Sequence, residues 1–326
     1  MKNYKLSDET KTLPCGTVLH RIVATTTFTL ACGLTVTEGD VGGWIEKESN
    51  LSGNAWVSSD VQVYGDAKVS DNAWVHGDAK VFGNALVSGD AQVFGDAWVY
   101  GNAQVYDNAR VSDYAQISGN ALVYGNARAS SNAWVYGNAK VSGNAQVSSD
   151  ASVTGNAKVS GNAWVSGDTK VYGDAQISGD ARVSGDTKVY GDAKVSGNAW
   201  VSGYAKVSGN AKVRGDAQIY GRAWIYDNAL VCGNTLVYGN AQVSGYADVF
   251  GDAQICGDAK VMSANDYIVF KNSWSSSSYF TWTKSNDMWA EERSYGTGNE
   301  LIEKAYADSE DNGKHYEACV KLVKTL

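Results

Sequence analysis

The sequence predicts an all-β solenoid: a parallel β-helix with an N-terminal β cap before it and a small α+β domain after it. Three observations indicate this fold. A six-residue repeat fills about two thirds of the 326 residues. The repeat alternates inward and outward residues as a strand does, and the chain has 36 glycines but a single proline. Because one hexad buries almost nothing, hexads must stack into coils that satisfy one another's backbone groups.

A β-branched position that returns every six residues forms the core of the repeat. Of the 37 positions from Ile45 to Val261, 35 are Val or Ile, and the exceptions are Leu51 and Ala129. In each Ala-x-Val tripeptide the outer two side chains share one face, and the following Gly-Asp or Gly-Asn tolerates turn dihedral angles. Three hexads make a triangular coil of 18 residues, so the repeat predicts about 12 coils.

The two ends of the chain differ from the repeat. The β-branched run Thr17 to Leu30 and a turn signal at Cys32-Gly33 predict a small β cap, which would cover the open strand edges of the first coil. After Met262 an aromatic segment predicts two or three strands. A helical pattern follows, with a break at Asp311-Asn-Gly. The predicted organisation is residues 1–44 for the cap, 45–262 for the β-helix and 263–326 for the C-terminal domain.

Composition excludes several classes of function. The chain has 27 Lys and Arg against 35 Asp and Glu, a formal charge of −8, which argues against a general nucleic-acid or anionic-membrane binder. No apolar window of 18 residues and no signal peptide are present, so we expect a cytoplasmic protein. Five cysteines without a CxxC pair indicate neither a disulfide framework nor zinc. We expect no metal and no cofactor.

The hexads themselves resemble a known family. Stretches such as Val87-Ser-Gly-Asp-Ala-Gln and Val159-Ser-Gly-Asn-Ala-Trp are similar to the hexapeptide repeat of bacterial acyltransferase-like proteins, which form left-handed parallel β-helices. The regular Gly-Asp/Asn-Ala form, preceded by Gly42-Gly-Trp-Ile-Glu, also resembles hexapeptide-repeat proteins of bacteria and their phages. The resemblance covers about two thirds of the chain. It implies a left-handed coil and a phage or prophage origin.

An enzyme of the acyltransferase type requires features that the repeat lacks. Those enzymes use a histidine base and a loop extruded from one coil. This chain has only His20, His76 and His315, and its 37 hexads contain no insertion. His76 takes an outward position, and the other two lie in the terminal segments. We therefore predict no catalytic residue. The alternative is an acyltransferase-like enzyme with its site at a domain or subunit boundary.

Outward residues 18 apart are expected to be neighbours in successive coils, so they sort into three phases. The first phase carries tyrosines just after the core valine and Trp or Lys just before it. The second carries Trp56, Trp74, Trp164 and Trp200, and in the third no Trp stands before the valine. Aromatic stacking for strand stability explains such a pattern, and so does an interface. We predict a binding or self-assembly face in the first phase, formed by Trp98, Tyr100, Trp134, Tyr136, Tyr172, Tyr190, Trp224 and Tyr226.

The corners give another pattern. Two corners are chiefly Asn, and the third is mainly Asp, at Asp60, Asp78, Asp96, Asp150, Asp168, Asp186 and Asp258. Turn chemistry with interchangeable Asn and Asp is the simpler explanation. A carboxylate row that holds divalent cations or imitates a DNA edge is the alternative. The interruptions Tyr114, Tyr204 and Arg222 weaken that alternative.

These observations lead to three functional hypotheses. The first is a non-catalytic binding or assembly protein that forms a homo-oligomer, a trimer or a dimer, and takes a host protein or a small ligand as its partner. The second is the acyltransferase-like enzyme. The third is a phage inhibitor of host defence that binds a host protein or a nucleotide signal. Neither a membrane nor a nucleic acid is an expected partner.

Overall fold

The computed structural model describes residues 2–291 and 294–326. It divides into two compact units, Met1–Asp180 and Ala181–Leu326. Both units contain parallel β-solenoid coils with an 18-residue spacing, which confirms the predicted fold class. In the first unit, for example, Val81 pairs in parallel with Val63 on one side and with Val99 on the other.

The first unit begins with the β cap. Its strands are β1 (Tyr4–Thr12), β2 (Val18–Ala24), β3 (Phe28–Thr29), β4 (Thr35–Val36) and β5 (Val41–Ile45). The pairs β1–β2, β2–β5 and β3–β4 are antiparallel. The end of β5 pairs in parallel with the strand Gln62–Val63, so the cap sheet continues directly into the first coil. A 3-10 turn, Glu48–Asn50, leads into the repeat.

The cap buries one of the tryptophans expected on the outer surface. Trp56 points outward from its coil, as its phase predicts, but only 3 % of the residue is exposed. The Phe28 ring of β3 lies edge-on to the indole, with 5.9 Å between the centroids. The β3–β4 hairpin therefore removes Trp56 from any binding surface.

Each coil of the first unit contributes one two-residue strand to each of three parallel sheets. The first-phase strands are Gln62–Val63, Lys80–Val81, Trp98–Val99, Gln116–Ile117, Trp134–Val135, Ser152–Val153 and Lys170–Val171. The second-phase strands are Trp56–Val57, Trp74–Val75, Gln92–Val93, Arg110–Val111, Arg128–Ala129, Gln146–Val147 and Trp164–Val165. The third-phase strands are Lys68–Val69, Leu86–Val87, Gln104–Val105, Leu122–Val123, Lys140–Val141, Lys158–Val159 and Gln176–Ile177.

Stacked Ala and Val side chains fill the interior of the coils, and those of Ala163 and Val165 are fully buried. Backbone hydrogen bonds join successive coils at the outward residues, whose N–H groups donate to carbonyls of the next coil. The Lys68 N–H, for example, donates to the Ala85 carbonyl at 2.9 Å. Where Thr replaces the core Ala, its hydroxyl still finds a partner. Thr187 Oγ1, for example, donates to the Ser184 carbonyl at 2.6 Å. Burial of these hydroxyls therefore leaves no unmet hydrogen bond.

Side-chain amides form ladders along the corners. In the longest ladder of the first unit, Asn84, Asn102, Asn120 and Asn138 each donate Nδ2 to the Oδ1 of the next residue in the series, at 3.0–3.1 Å. A carboxylate accepts but cannot donate, so an Asp ends a ladder, as where Asn72 donates to Asp90 at 3.0 Å. Asn and Asp are therefore not interchangeable at these corners, contrary to the simple turn explanation.

Amide ladders of this kind predict opposite effects for two substitutions, one in each of two ladders. Asn120→Asp removes the donor to Asn138 and brings two acceptor oxygens together, so we expect a loss of about 1 kcal/mol of unfolding free energy. Asp90→Asn adds a donor below Asn108, which stands 18 residues on, and we expect a gain of about 0.5 kcal/mol. Urea unfolding of both variants measures the difference. The same sign for both substitutions would contradict the ladder.

The second unit continues with coils of the same kind. Its second-phase strands are Arg182–Val183, Trp200–Val201, Gln218–Ile219, Leu236–Val237 and Gln254–Ile255. Its first-phase strands are Lys188–Val189, Lys206–Val207, Trp224–Ile225, Gln242–Val243 and Lys260–Val261, and its third-phase strands are Lys194–Val195, Lys212–Val213, Leu230–Val231 and Asp248–Val249.

A small α+β segment completes the second unit, as predicted. A 3-10 turn, Ala264–Asp266, precedes an antiparallel sheet, where the described chain has four strands rather than two or three: Tyr267–Lys271, Tyr279–Thr283, Met288–Glu291 and Ser294–Thr297. Two helices follow, α1 (Gly298–Asp308) and α2 (Glu310–Val323). Their core contains Phe280, Trp289, Tyr316 and Val320. Neither helix has the length and apolar composition needed to cross a membrane, judged over the described residues.

The predicted helix break at Asp311-Asn-Gly is wrong. The break lies at Ser309, whose hydroxyl caps α2 by accepting from the Asn312 N–H at 3.1 Å. Gly313 lies inside α2, where a Cβ would stand 2.3 Å from the Tyr306 ring. This glycine therefore serves the close approach of the two helices and does not end one of them.

Candidate functional site

The tyrosine column of the first phase forms stacks in the first unit. Tyr64, Phe82 and Tyr100 lie with 5.0 Å between successive ring centroids and 3° between the ring planes. Further along, Tyr136 meets Trp134 edge-on at 6.1 Å. Stacks of this kind stabilise neighbouring strands, so much of the column has a structural explanation.

In the first unit a groove lies between the outward residues of the first-phase strands and the Asp corner that precedes them. Lys80, Trp98 and Gln116 stand on successive paired strands. Lys80 Nζ lies 4.8 Å from the Trp98 ring, a cation–π distance, and the Tyr100 hydroxyl lies 3.4 Å from Gln116 Oε1. The groove encloses about 560 Å³. We call it the acidic groove, for the corner carboxylates described below.

The second unit contains the same constellation 126 residues later in the sequence. Lys206, Trp224 and Gln242 stand on successive paired strands. Lys206 Nζ lies 5.6 Å from the Trp224 ring, and the Tyr226 hydroxyl lies 3.4 Å from Gln242 Oε1. This groove encloses about 580 Å³. We call it the basic groove.

The corner residues give the two grooves opposite charge. Three carboxylates and two ammonium groups line the acidic groove, namely Asp60, Asp78, Asp96, Lys11 and Lys80. Three cations and one carboxylate line the basic groove, namely Lys188, Lys206, Arg222 and Asp186. Beside the tryptophan the first groove has Asp96 where the second has Arg222. The basic groove therefore attracts anions, and the acidic groove does not.

Hydrogen bonding and packing fix the indole of the basic groove. Trp224 Nε1 donates to Ser208 Oγ at 3.0 Å, and only 5 % of Ser208 is exposed. The Tyr226 ring lies 4.4 Å from the indole. The same bond to a serine 16 residues earlier recurs in the first unit, where Trp164 donates to Ser148 at 3.3 Å. Trp224 is therefore a half-buried platform that is held before any ligand arrives.

The structure separates the predicted site residues into different environments. Trp98 lines the acidic groove and Trp224 the basic one, with Tyr100 and Tyr226 beside them. Tyr100 and Tyr226 are themselves outside both groove linings, as are Trp134, Tyr136 and Tyr172 in the first unit and Tyr190 in the second. Exposed fractions of Trp134 (49 %) and Tyr136 (41 %) leave both open to contact. Their role in binding stays a prediction.

Sequence analysis missed Tyr204, Arg222 and Gln242 as groove residues. A signal was present, because Tyr204 and Arg222 interrupt the Asp corner beside the strands on which Lys206 and Trp224 stand. On the corner column alone these interruptions argue only against a carboxylate site. Reading the corner and strand columns together would have outlined the groove.

Two side chains with catalytic chemistry, His76 and Cys256, lie in packed surroundings. His76 lies between Trp74 and Phe94, with ring centroids 3.9 and 4.9 Å away, and burial lowers its pKa. It is thus half-buried in a stack rather than simply exposed. Burial raises the pKa of the Cys256 thiol to about 11. In residues 2–291 and 294–326 no group of three or more His, Cys, Asp or Glu side chains is placed to hold a metal ion.

Comparison with known proteins gives a class consistent with this geometry. The family model of the YdcK β-solenoid repeat matches residues 61–77, 103–114, 115–131, 175–191 and 217–233. No curated protein sequence matches the chain. One similar solved structure, described as a candidate acetyltransferase from Desulfovibrio desulfuricans G20, has 10 % identity and a TM-score of 0.21, over 86 % of this chain and 81 % of that one. The fold and the repeat matches define a β-solenoid repeat protein.

Proposed function

We propose that this protein is a non-catalytic β-solenoid binding protein whose basic groove takes an anionic ligand that carries a planar ring. The observation that supports this most directly is the arrangement of Lys188, Lys206 and Arg222 around the fixed indole of Trp224. A nucleotide has the required chemistry, with phosphate oxygens at one end and a heteroaromatic base at the other.

The spacing of the cations suits one compact anion. Neighbouring strands in a sheet lie about 4.8 Å apart, so Lys188 and Lys206 can contact oxygens of the same phosphate group. Arg222 adds a planar guanidinium that forms two parallel bonds to such a group. Stacking of a base on Trp224 contributes about 1–3 kcal/mol. Binding of this kind needs no reacting group, and none of the described lining residues is His, Cys or Ser.

The two grooves provide a matched test of this proposal. Isothermal titration calorimetry with adenosine monophosphate is expected to show saturable binding, and adenosine without the phosphate is expected to bind at least tenfold more weakly. Arg222→Asp is expected to weaken nucleotide binding by about tenfold or more, because a charged hydrogen bond contributes about 1.5–3 kcal/mol. Trp98→Ser in the acidic groove is the control and is expected to leave the affinity unchanged.

Two results would contradict the proposal. One is an Arg222→Asp variant that binds the nucleotide as tightly as the parent protein, and the other is a parent protein with equal affinity for nucleotide and nucleoside. Native mass spectrometry of the same samples also reads the subunit number. The exposed aromatic surface at Trp134 and Tyr136 supports the homo-oligomer that the sequence predicts.

A further inference from the structure

The C-terminal α+β segment contains a cavity that is separate from both grooves. It encloses about 240 Å³ and is lined by the loop after the strand Tyr267–Lys271, the end of the strand Met288–Glu291, and both helices. Clefts for drug-sized ligands usually have about 300–1,000 Å³, so this cavity suits a smaller molecule. Most of its lining is polar, and Leu301 and Ala305 of α1 give it one apolar wall.

A buried carboxylate is fixed in the lining of this cavity. Only 9 % of Glu291 is exposed. Its Oε1 accepts from the Tyr316 hydroxyl, and also from Ser278 Oγ at 2.9 Å. Asn272 Nδ2 in turn donates to the Tyr316 hydroxyl at 3.0 Å. Over the described chain, the hydrogen bonds to this carboxylate all reach Oε1, so Oε2 is left for a donor from a ligand.

An ammonium group lines the same cavity. Lys304 Nζ donates to Ser294 Oγ at 2.6 Å. Ser294 pairs directly with Glu291 in the antiparallel sheet, and the Cβ atoms of such a pair lie about 5 Å apart on one face. The ammonium group is therefore held near the carboxylate, but none of the ion pairs among the described residues joins the two. Because these opposite charges do not neutralise each other, each can bind an opposite charge of a ligand.

A second carboxylate gives the lining an excess of negative charge. Asp308 lies one helical turn after Lys304, and its Oδ2 accepts from Asn312 Nδ2 at 2.9 Å. Two carboxylates and one ammonium group therefore surround the cavity. A positive group on the ligand is expected to contribute more to binding than a negative one.

We propose that this cavity binds a small zwitterion, of the class of short amino acids. The ammonium group of the ligand would donate to Glu291 Oε2, and its carboxylate would accept from Lys304 Nζ. The short aliphatic part between them would lie against Leu301 and Ala305. This proposal does not rest on nucleotide binding in the basic groove, because the two sites share no lining residue.

Three ligands of nearly equal size test the need for both charges. Isothermal titration calorimetry of the full chain with γ-aminobutyrate is expected to show saturable binding. Butylamine has only the positive charge and butyrate only the negative one, so both are expected to bind at least tenfold more weakly. Of these two, butylamine is expected to bind more tightly because of the excess of carboxylates.

Variants of the protein assign each charge of the ligand to one residue. Glu291→Gln keeps an acceptor for Tyr316 and Ser278 but removes the charge, and it is expected to weaken γ-aminobutyrate binding at least tenfold. Lys304→Met keeps the aliphatic stem of an exposed side chain, and it is expected to bind γ-aminobutyrate and butylamine with equal affinity. Lys284→Met removes an exposed lysine of the same segment outside the cavity lining and is expected to bind all three ligands as the parent protein does.

Three results would overturn the proposal. The first is γ-aminobutyrate binding that does not saturate, and the second is a parent protein with equal affinity for γ-aminobutyrate and butylamine, which would indicate a site for simple cations. The third is a Lys304→Met variant that keeps the preference of the parent protein for γ-aminobutyrate. Because Lys304 is exposed, this variant is expected to fold and decides the question even if Glu291→Gln does not fold.

Discussion

A Gly161→Val variant is expected to lose about 4 kcal/mol of unfolding free energy, enough to unfold a marginal protein. Gly161 has a φ of +70°, in the left-handed region that a β-branched residue adopts only with strain. Its Cβ would also stand 2.9 Å from the backbone N and O of Gly179 in the next coil. Strain of this kind costs about 1–3 kcal/mol and overpacking a similar amount.

Two other substitutions separate these causes. Gly161→Asp is expected to cost less than 1 kcal/mol, because Asp107 occupies such a corner at φ 60° and its Oδ2 accepts from the Gly125 N–H at 3.0 Å. Gly251→Val has the same backbone strain, at φ +71°, but meets no neighbour within 4 Å. Guanidinium unfolding of the three variants measures the order. Equal losses for the two valine variants would show that the contact with the next coil contributes nothing.

The sequence predicts the solenoid because its information is local and repeated. Each hexad has the same alternation of inward and outward residues and the same turn. Stacking of the coils then buries side chains such as Ala163 and Val165. Elements whose definition needs a distant partner were harder to predict. In the sequence Gly313 predicts a helix break, but in the structure it lets α2 approach Tyr306. Trp56 is predicted to be exposed, but Phe28 covers it.

The candidate site was predicted only in part for the same reason. The sequence predicts Trp98 and Trp224 as site residues because each stands two positions before a tyrosine of the first phase. Asp96 and Arg222 contribute to the difference in charge between the two grooves. They lie on the corner column, and neither residue alone predicts a groove. Sequence phase places residues within a column, but a binding groove is formed between columns. The side chains must therefore be seen together before the ligand's charge can be inferred.

Phe280→Ala is expected to destabilise the C-terminal α+β segment by about 3–5 kcal/mol. The Phe280 side chain is fully buried, and its ring stacks on Tyr316 at 4.7 Å and on Phe270 at 5.2 Å. Burial and the neighbouring Glu291 carboxylate, to which the Tyr316 hydroxyl donates, raise the pKa of Tyr316. A void at Phe280 would disturb this buried pair as well as the apolar core. Tyr279→Ala, on the same strand but partly exposed, is the control and is expected to lose about 1 kcal/mol.

The strand Tyr279–Thr283 connects this loss of stability to the end of the solenoid. Thr281 accepts the Gln254 N–H, so release of its strand would expose the strand edge at Gln254–Ile255. Hydrogen exchange at the Gln254 amide is therefore expected to accelerate about 100-fold or more in Phe280→Ala, since 100-fold corresponds to about 2.7 kcal/mol. Exchange at Lys206, inside the coils, is expected to remain as in the parent protein. Acceleration at both amides would mean that the α+β segment and the coils unfold together, and that the segment does more than cap an edge.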